Sequence, residues 1–174
     1  MKKYPSKKET LVFLKRAGCN KRVIEHCITV SEYAVEIAKA CKNKNPIDIR
    51  LIEIGALMHD VGRGITNDIR HAILGATLVR AVGYSEDLAN LVERHIGAGI
   101  PIREARKIGL PPRSYMPKSI EEKIVSYADK LIRGKKRTTV NEAIEEISQK
   151  LGTKHPAVKR FKNLHKEISQ LMSD

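Results

Sequence analysis

Val23, Cys27, Val30, Ala34, Ile37 and Cys41 step along the chain by four and three residues. That spacing puts them on one face of an α-helix, where they must find an apolar partner. Elsewhere, no stretch alternates apolar and polar residues with period two for long enough to build a sheet surface. A chain patterned this way is expected to be all-α, with helices packed through their apolar faces. Aromatic residues are 4% of the sequence and Trp is absent, so the core must be built from Ile, Leu, Val and Ala.

Capping residues, glycines and prolines divide the rest. Ser6 to Glu9 reads as a capping box opening a helix that Gly18 closes. Pro46-Ile47-Asp48 starts a helix over residues 49 to about 59, apolar nearly all round and therefore placed at the centre. It runs into a tight turn, Asp60-Val61-Gly62-Arg63-Gly64. Thr66 or Asn67 is expected to cap the next helix, closed by Gly83, and Ser85 the one after, closed by Gly97. Pro101, Gly109, Pro111, Pro112 and Pro117 predict a loop over 98–118, with at most a short helix near 102–108. Ser119 and Glu122 form a second capping-box pattern, opening a helix to about residue 132. Thr139 with Glu142 opens another to about 151, and a last basic helix spans about 156–172.

The 174 residues fit one domain, with a core over about 20–135 and a basic helical extension over about 136–174. No apolar run approaches the ~20 residues of a membrane span. The charged start Met1-Lys2-Lys3 lacks the apolar stretch of a secretory signal. Cys19, Cys27 and Cys41 form no CxxC pair and are odd in number, which argues against a disulfide framework or a cysteine zinc site and for the cytoplasm. Lys and Arg total 33 against 20 acids, a formal charge of +13 that attracts phosphate-bearing partners.

Six polar side chains stand out against this background. His26 flanks the apolar stripe of the second helix, where a half-buried imidazole needs a partner, a backbone carbonyl being the plainest. His59 and Asp60 end the central helix together, and a buried carboxylate is costly unless paired or bound to a metal. Adjacent helical residues point about 100° apart, so both can face one ion only because the helix ends there. Asp129 lies on the edge of an apolar helix face, in the half where the helix dipole disfavours negative charge. Lys130 could balance it but is expected on another face. His71, in a first helical turn, is expected neutral and suited to metal binding, while His95 closes a helix, where it could equally serve as a dipole partner. His155 and His165 sit among Lys and Arg and read as solvated.

The order His26, His59-Asp60, His71 with Gly75, His95, Asp129 resembles the H…HD…HxxxG…H…D pattern of HD-domain metal-dependent phosphohydrolases with a binuclear centre. The resemblance covers roughly residues 20–135. The segments Leu110-Pro111-Pro112 and Glu121-Glu122-Lys123-Ile124-Val125 add a likeness to small archaeal HD-domain proteins of unassigned function. It implies an HD-domain helical bundle with one or two divalent transition metal ions. His26, His59, Asp60 and Asp129 would hold the first ion; His71 and His95 would hold the second, with Asp60 bridging. Mn, Fe, Ni, Co and Zn all suit imidazole and carboxylate ligands. The implied activity is hydrolysis of a nucleotide or other small phosphate ester by a metal-activated water. Asp60 would be central to catalysis, with Arg63 gripping a phosphate. Arg103, Arg106 and Arg113 mark the 98–118 loop as a candidate lid. The stretch 94–101 lacks the His-His-Glu and Gly-Tyr-Pro motifs of the cyclic-dinucleotide phosphodiesterases, so that subtype is not expected.

Two other readings stay open at this level. Some proteins with this six-ligand pattern are di-iron oxygenases, which need O₂ and iron in a mixed redox state. The surplus of positive charge from Arg133 to Lys166 also suits a non-catalytic nucleic-acid-binding module, and a homodimer is left open.

Overall fold

The structure is a computed structural model that describes residues 4–41 and 46–173. The chain start, Met1-Lys2-Lys3, lies outside the described residues. Nine α-helices follow in order among them: α1 Lys7–Arg16, α2 Lys21–Ala40, α3 Ile49–Met58, α4 His71–Ala81, α5 Glu86–Arg94, α6 Ile102–Lys107, α7 Ile120–Lys130, α8 Val140–Leu151 and α9 Pro156–Ser173. The all-α expectation holds. It misses one small feature, a two-stranded antiparallel hairpin of β1 Ile132–Arg133 and β2 Lys136–Arg137 that turns at Gly134. The helix expected to reach residue 132 therefore stops at Lys130, because Leu131 and Thr138 pair across the hairpin base. Two-residue strands are too short to leave a period-two pattern.

Helix α3 is the centre of the bundle. Leu51, Ile52, Ile54, Gly55, Ala56, Leu57 and Met58 are all buried in it, and it packs against α2, α5, α7 and α1. Gly55 lets α5 come close: a Cβ there would stand 2.5 Å from Leu91 Cδ1. The stripe on α2 behaves as its spacing requires, with Cys27, Val30, Ala34 and Ile37 buried. Cys41 falls just past the helix end as its C-cap.

The caps divide into those satisfied locally and those taken over by tertiary partners. Ser6 with Glu9 and Thr139 with Glu142 make complete capping boxes. At α7 the Ser119 hydroxyl accepts from Glu122 N, but the Glu122 carboxylate accepts from Lys118 N and from Arg94 instead of closing the box. Neither Thr66 nor Asn67 caps α4. Thr66 Oγ1 accepts from Asp68 N, Asp68 Oδ1 accepts from Arg70 N, and the helix starts later, at His71. These local side-chain turns compete with helix initiation and delay it.

Residues 98–118 contain the short helix α6 and build a small core of their own. Ile100, Ala105, Leu110 and Tyr115 are buried there against Ile69, Ile73 and Ile96. Helix α9 is more than a solvated basic helix. Phe161, Leu164 and Ile168 join the main core, and His165 stacks on Tyr127 with its Nδ1 2.8 Å from the tyrosine hydroxyl. The reading of His165 as solvated is thus corrected: the helix's apolar face carries it inward. His155 is half-buried, and its Nδ1 accepts from Ala157 N.

Candidate metal centre

All six side chains converge. His26, from α2, places Nε2 3.0 Å from Asp129 Oδ1 on α7. His59, the C-cap of α3, places Nε2 3.3 Å from the same oxygen and 3.7 Å from Asp60 Oδ2. The other Asp60 oxygen, Oδ1, lies 3.0 Å from His71 Nε2 and 3.6 Å from His95 Nε2. Asp60 thus stands between the imidazole of His59 and those of His71 and His95. Ring centroids run 5.3 Å from His26 to His59, 4.8 Å from His59 to His95 and 5.2 Å from His95 to His71. The ring of His95, which the sequence also offers as a helix-dipole partner, is buried within the cluster.

Local structure aims these groups. The chain leaves α3 at His59 with helical dihedrals, then turns at Asp60 into a 3₁₀ helix over Val61–Gly64, where a simple tight turn is expected from the two glycines. A Cβ on Gly62 would stand 1.9 Å from His71 O, and one on Gly64 would stand 1.9 Å from Ala17 O. The absence of both side chains lets this turn press on the start of α4 and on the α1–α2 connection, bringing Asp60 to His71.

Each imidazole is held from behind. His59, His71 and His95 set Nδ1 2.7 Å from the carbonyls of Ala56, Asp68 and Val92, and His26 sets Nδ1 3.1 Å from Gly134 O. A carbonyl can only accept, so each Nδ1 donates and each ring turns its Nε2 inward. Backbone carbonyls behind imidazoles are a recurrent means of orienting metal-ligating histidines.

The electrostatics inside are unresolved by protein groups alone. His71 Nε2 and His95 Nε2 face each other at 3.2 Å. His59 Nε2 is fully buried and makes no hydrogen bond of adequate geometry. Burial works against protonating His59, yet the Asp60 carboxylate outweighs it and holds its pKa well above the usual imidazole value. Burial, with the adjacent imidazoles, pushes His95 down to about 4. Burial would raise Asp129, but Lys130 and the imidazoles of His26 and His59 keep it well below the usual carboxylate range. The same opposition, with His59 and His71 as counterweights, keeps Asp60 low. Two carboxylates, Asp60 buried and Asp129 half-buried, converge here at a depth where negative charge calls for positive charge. The groups His26, His59, Asp129 and His59, Asp60, His95 each gather ligand atoms within 4.8 Å, so the cluster could hold metal ions.

The cluster opens into a cavity of about 440 Å³, within the range of small-molecule sites. Arg63 lines it, with Nε 3.3 Å from Asp60 Oδ1 and Nη1 2.6 Å from Asn67 O. Lys130 lines it too, and its Nζ is 3.4 Å from Asp129 Oδ2, contrary to the expectation that it points elsewhere. Leaving α7 one residue later, the chain bends into the hairpin, which turns Lys130 toward its neighbour. Arg103, Arg106 and Arg113 do not line the cavity; Arg113 pairs with the buried Glu93. The far wall comes instead from β1, α8 and Ala157 of α9. Sequence reasoning missed that wall. Ala143, Ile147 and Leu151 step by four along α8, a visible stripe, but nothing local says that it faces a site.

The HD domain family model matches residues 23–134. The chain belongs to the HD-domain family. An uncharacterised protein of Methanocaldococcus jannaschii is 47% identical over 155 residues, covering 88% of this chain and 92% of its own. A protein of Thermoplasma volcanium named tRNA (cytidine(56)-2′-O)-methyltransferase is 39% identical over 168 residues, which cover 97% of this HD-domain chain and 48% of the relative. The chain thus spans about half the length of that relative. Among solved structures, the HD domain of the L. monocytogenes phosphodiesterase PgpH, also solved in complex with cyclic-di-AMP, superposes with a TM-score of 0.50. It covers 93% of this chain and 96% of its own at 15% identity, a likeness of fold. No helix among the described residues is long and apolar enough to cross a membrane.

Proposed function

We propose that this HD-domain chain is a metal-dependent phosphohydrolase or phosphodiesterase acting on a nucleotide or another small phosphate ester. One observation carries the reading: four imidazoles, each with Nδ1 at a backbone carbonyl and Nε2 turned inward, surround the buried Asp60 and the half-buried Asp129. His26, His59, Asp60 and Asp129 would hold one divalent ion and His71 with His95 a second, Asp60 being shared. When bound, such ions supply Lewis acidity toward phosphoryl oxygens and acidify water in their coordination shell.

The chain's own groups do the remainder. Arg63, anchored through Nε and Nη1, presents its guanidinium to the cavity, where it can take phosphate oxygens and fix the ester's orientation. Lys130, beside Asp129, adds positive charge on the same side. His59, His71 and His95 are almost completely buried, which excludes bulk water from the floor and strengthens every electrostatic contact there. The neighbour solved with cyclic-di-AMP is a phosphodiesterase of the same fold, which supports a nucleotide as the substrate class.

The test is a screen of phosphoesters and nucleotides across several divalent metals, with metal content measured on the purified protein. Close to two ions per chain are expected. Asp60→Ala should abolish turnover and strip the metal while leaving the helical circular dichroism intact. Metal-free protein after metal-replete expression, or unchanged turnover in Asp60→Ala, would overturn the reading.

A further inference from the structure

The cavity wall opposite in character to the His/Asp cluster is made by β1 and α8, and α8 lies beyond the segment that the family model matches. Ile132, Ile147 and Leu151 give that wall an apolar surface. Two cations stand on it, and both are tied to one carboxylate. Glu146 takes Arg133 Nε at 2.8 Å and Lys150 Nζ at 2.5 Å, while Arg133 Nη2 also donates to Glu142 O at 3.1 Å.

At hydrogen-bond distance the two cations share one carboxylate, Glu146, while the Glu142 carboxylate attracts Arg133 only through space. The side chains of Arg133 and Lys150 are 48% and 69% exposed, so they remain open to an incoming group. Glu146 holds them side by side, which lowers the side-chain entropy that a ligand would otherwise have to remove. The cavity is also larger than one phosphate needs. A phosphate bound at the His/Asp cluster leaves room for an organic body against Ile147 and Leu151.

We propose that Arg133 and Lys150 form a second anion subsite, and that the ligand is a phosphate ester with an apolar body and a second anionic group. A nucleoside phosphorylated on two ribose hydroxyls has that chemistry. The proposal rests on the hydrolase reading for the first phosphate and adds what selects the rest of the molecule.

Adenosine 3′,5′-bisphosphate and adenosine 5′-monophosphate are suitable probes, with affinity read by calorimetry and turnover measured separately on the metal-replete protein. The wild type should bind the bisphosphate about tenfold more tightly than the monophosphate. Lys150→Gln and Arg133→Gln should each remove most of that preference, and the double variant all of it, with circular dichroism reporting that α8 persists. Equal affinity of the wild type for the two probes would overturn the subsite. So would variants that weaken both probes by the same factor, since the cations would then serve one phosphate or only long-range steering. A bisphosphate preference that depends on Arg133 and Lys150, but without turnover of any phosphoester, would support the subsite and count against the hydrolase reading alone.

Discussion

At position 62 the backbone of α4 leaves no room for a methyl group. A Cβ there would meet His71 O at 1.9 Å and Gly75 N at 2.8 Å, both backbone atoms that cannot swing aside. Gly62→Ala is expected to cost about 1–3 kcal/mol through overpacking. At ~2–4 °C per kcal/mol for a chain of this size, a thermal melt will show a drop of several degrees. Because Asp60 and His71 are set by the same contact, metal retention measured on that variant should fall as well. Cys19 offers a second test at this scale. Its thiol is buried, with Sγ 3.4 Å from Val61 O, and burial raises its pKa from about 9 to about 11. Below pH 9 folded and unfolded chains both keep the proton. Between about 9 and 11 the unfolded chain loses it while the folded chain retains it, so stability falls as pH rises through that window. Denaturant unfolding of Cys19→Ala should lack this share of the alkaline loss.

The helices were legible one at a time, and their ends less so. Capping boxes at Ser6 and Thr139 are satisfied within four residues, so their pattern reads directly from the chain. The start of α4 and the closing of the α7 cap were not legible, because Asp68 and Arg94 compete for the groups involved. Helix α8 depends on its cap more than most, since it walls the cavity with few residues in the core; Ala143 is the buried one. Thr139→Ala is expected to cost about 1 kcal/mol. Amide exchange in the first turn of α8 should speed up while α2 and α3 stay protected. Equal protection of α8 in the variant would show that tertiary contacts alone hold it.

Over the whole molecule, α9 closes the core from the outside. Phe161 is fully buried and stacks with Tyr127, two residues before Asp129. Phe161→Ala should cost about 3–5 kcal/mol, checked by denaturant unfolding, and loosen the helix that carries Asp129. The all-α class and the position of α3 at the centre follow from helical periodicity, a local property, whereas the six converging side chains were legible as one set only through their resemblance to the HD-domain pattern. The apolar stripe of α9, Phe161, Leu164 and Ile168, is equally present in the sequence but is interleaved with lysines and arginines that give the segment the composition of a solvated helix. Which residues share a cavity is another matter. Lys130, Arg133 and Lys150 share the cavity with the His/Asp cluster, and Arg103 and Arg106 do not, because a six-residue hairpin over 132–137 redirects the chain after α7 and folds α8 back over the cluster. That redirection depends on contacts between distant parts of the chain. A periodicity can say that a helix has an apolar face, but only the packed molecule says what that face looks upon.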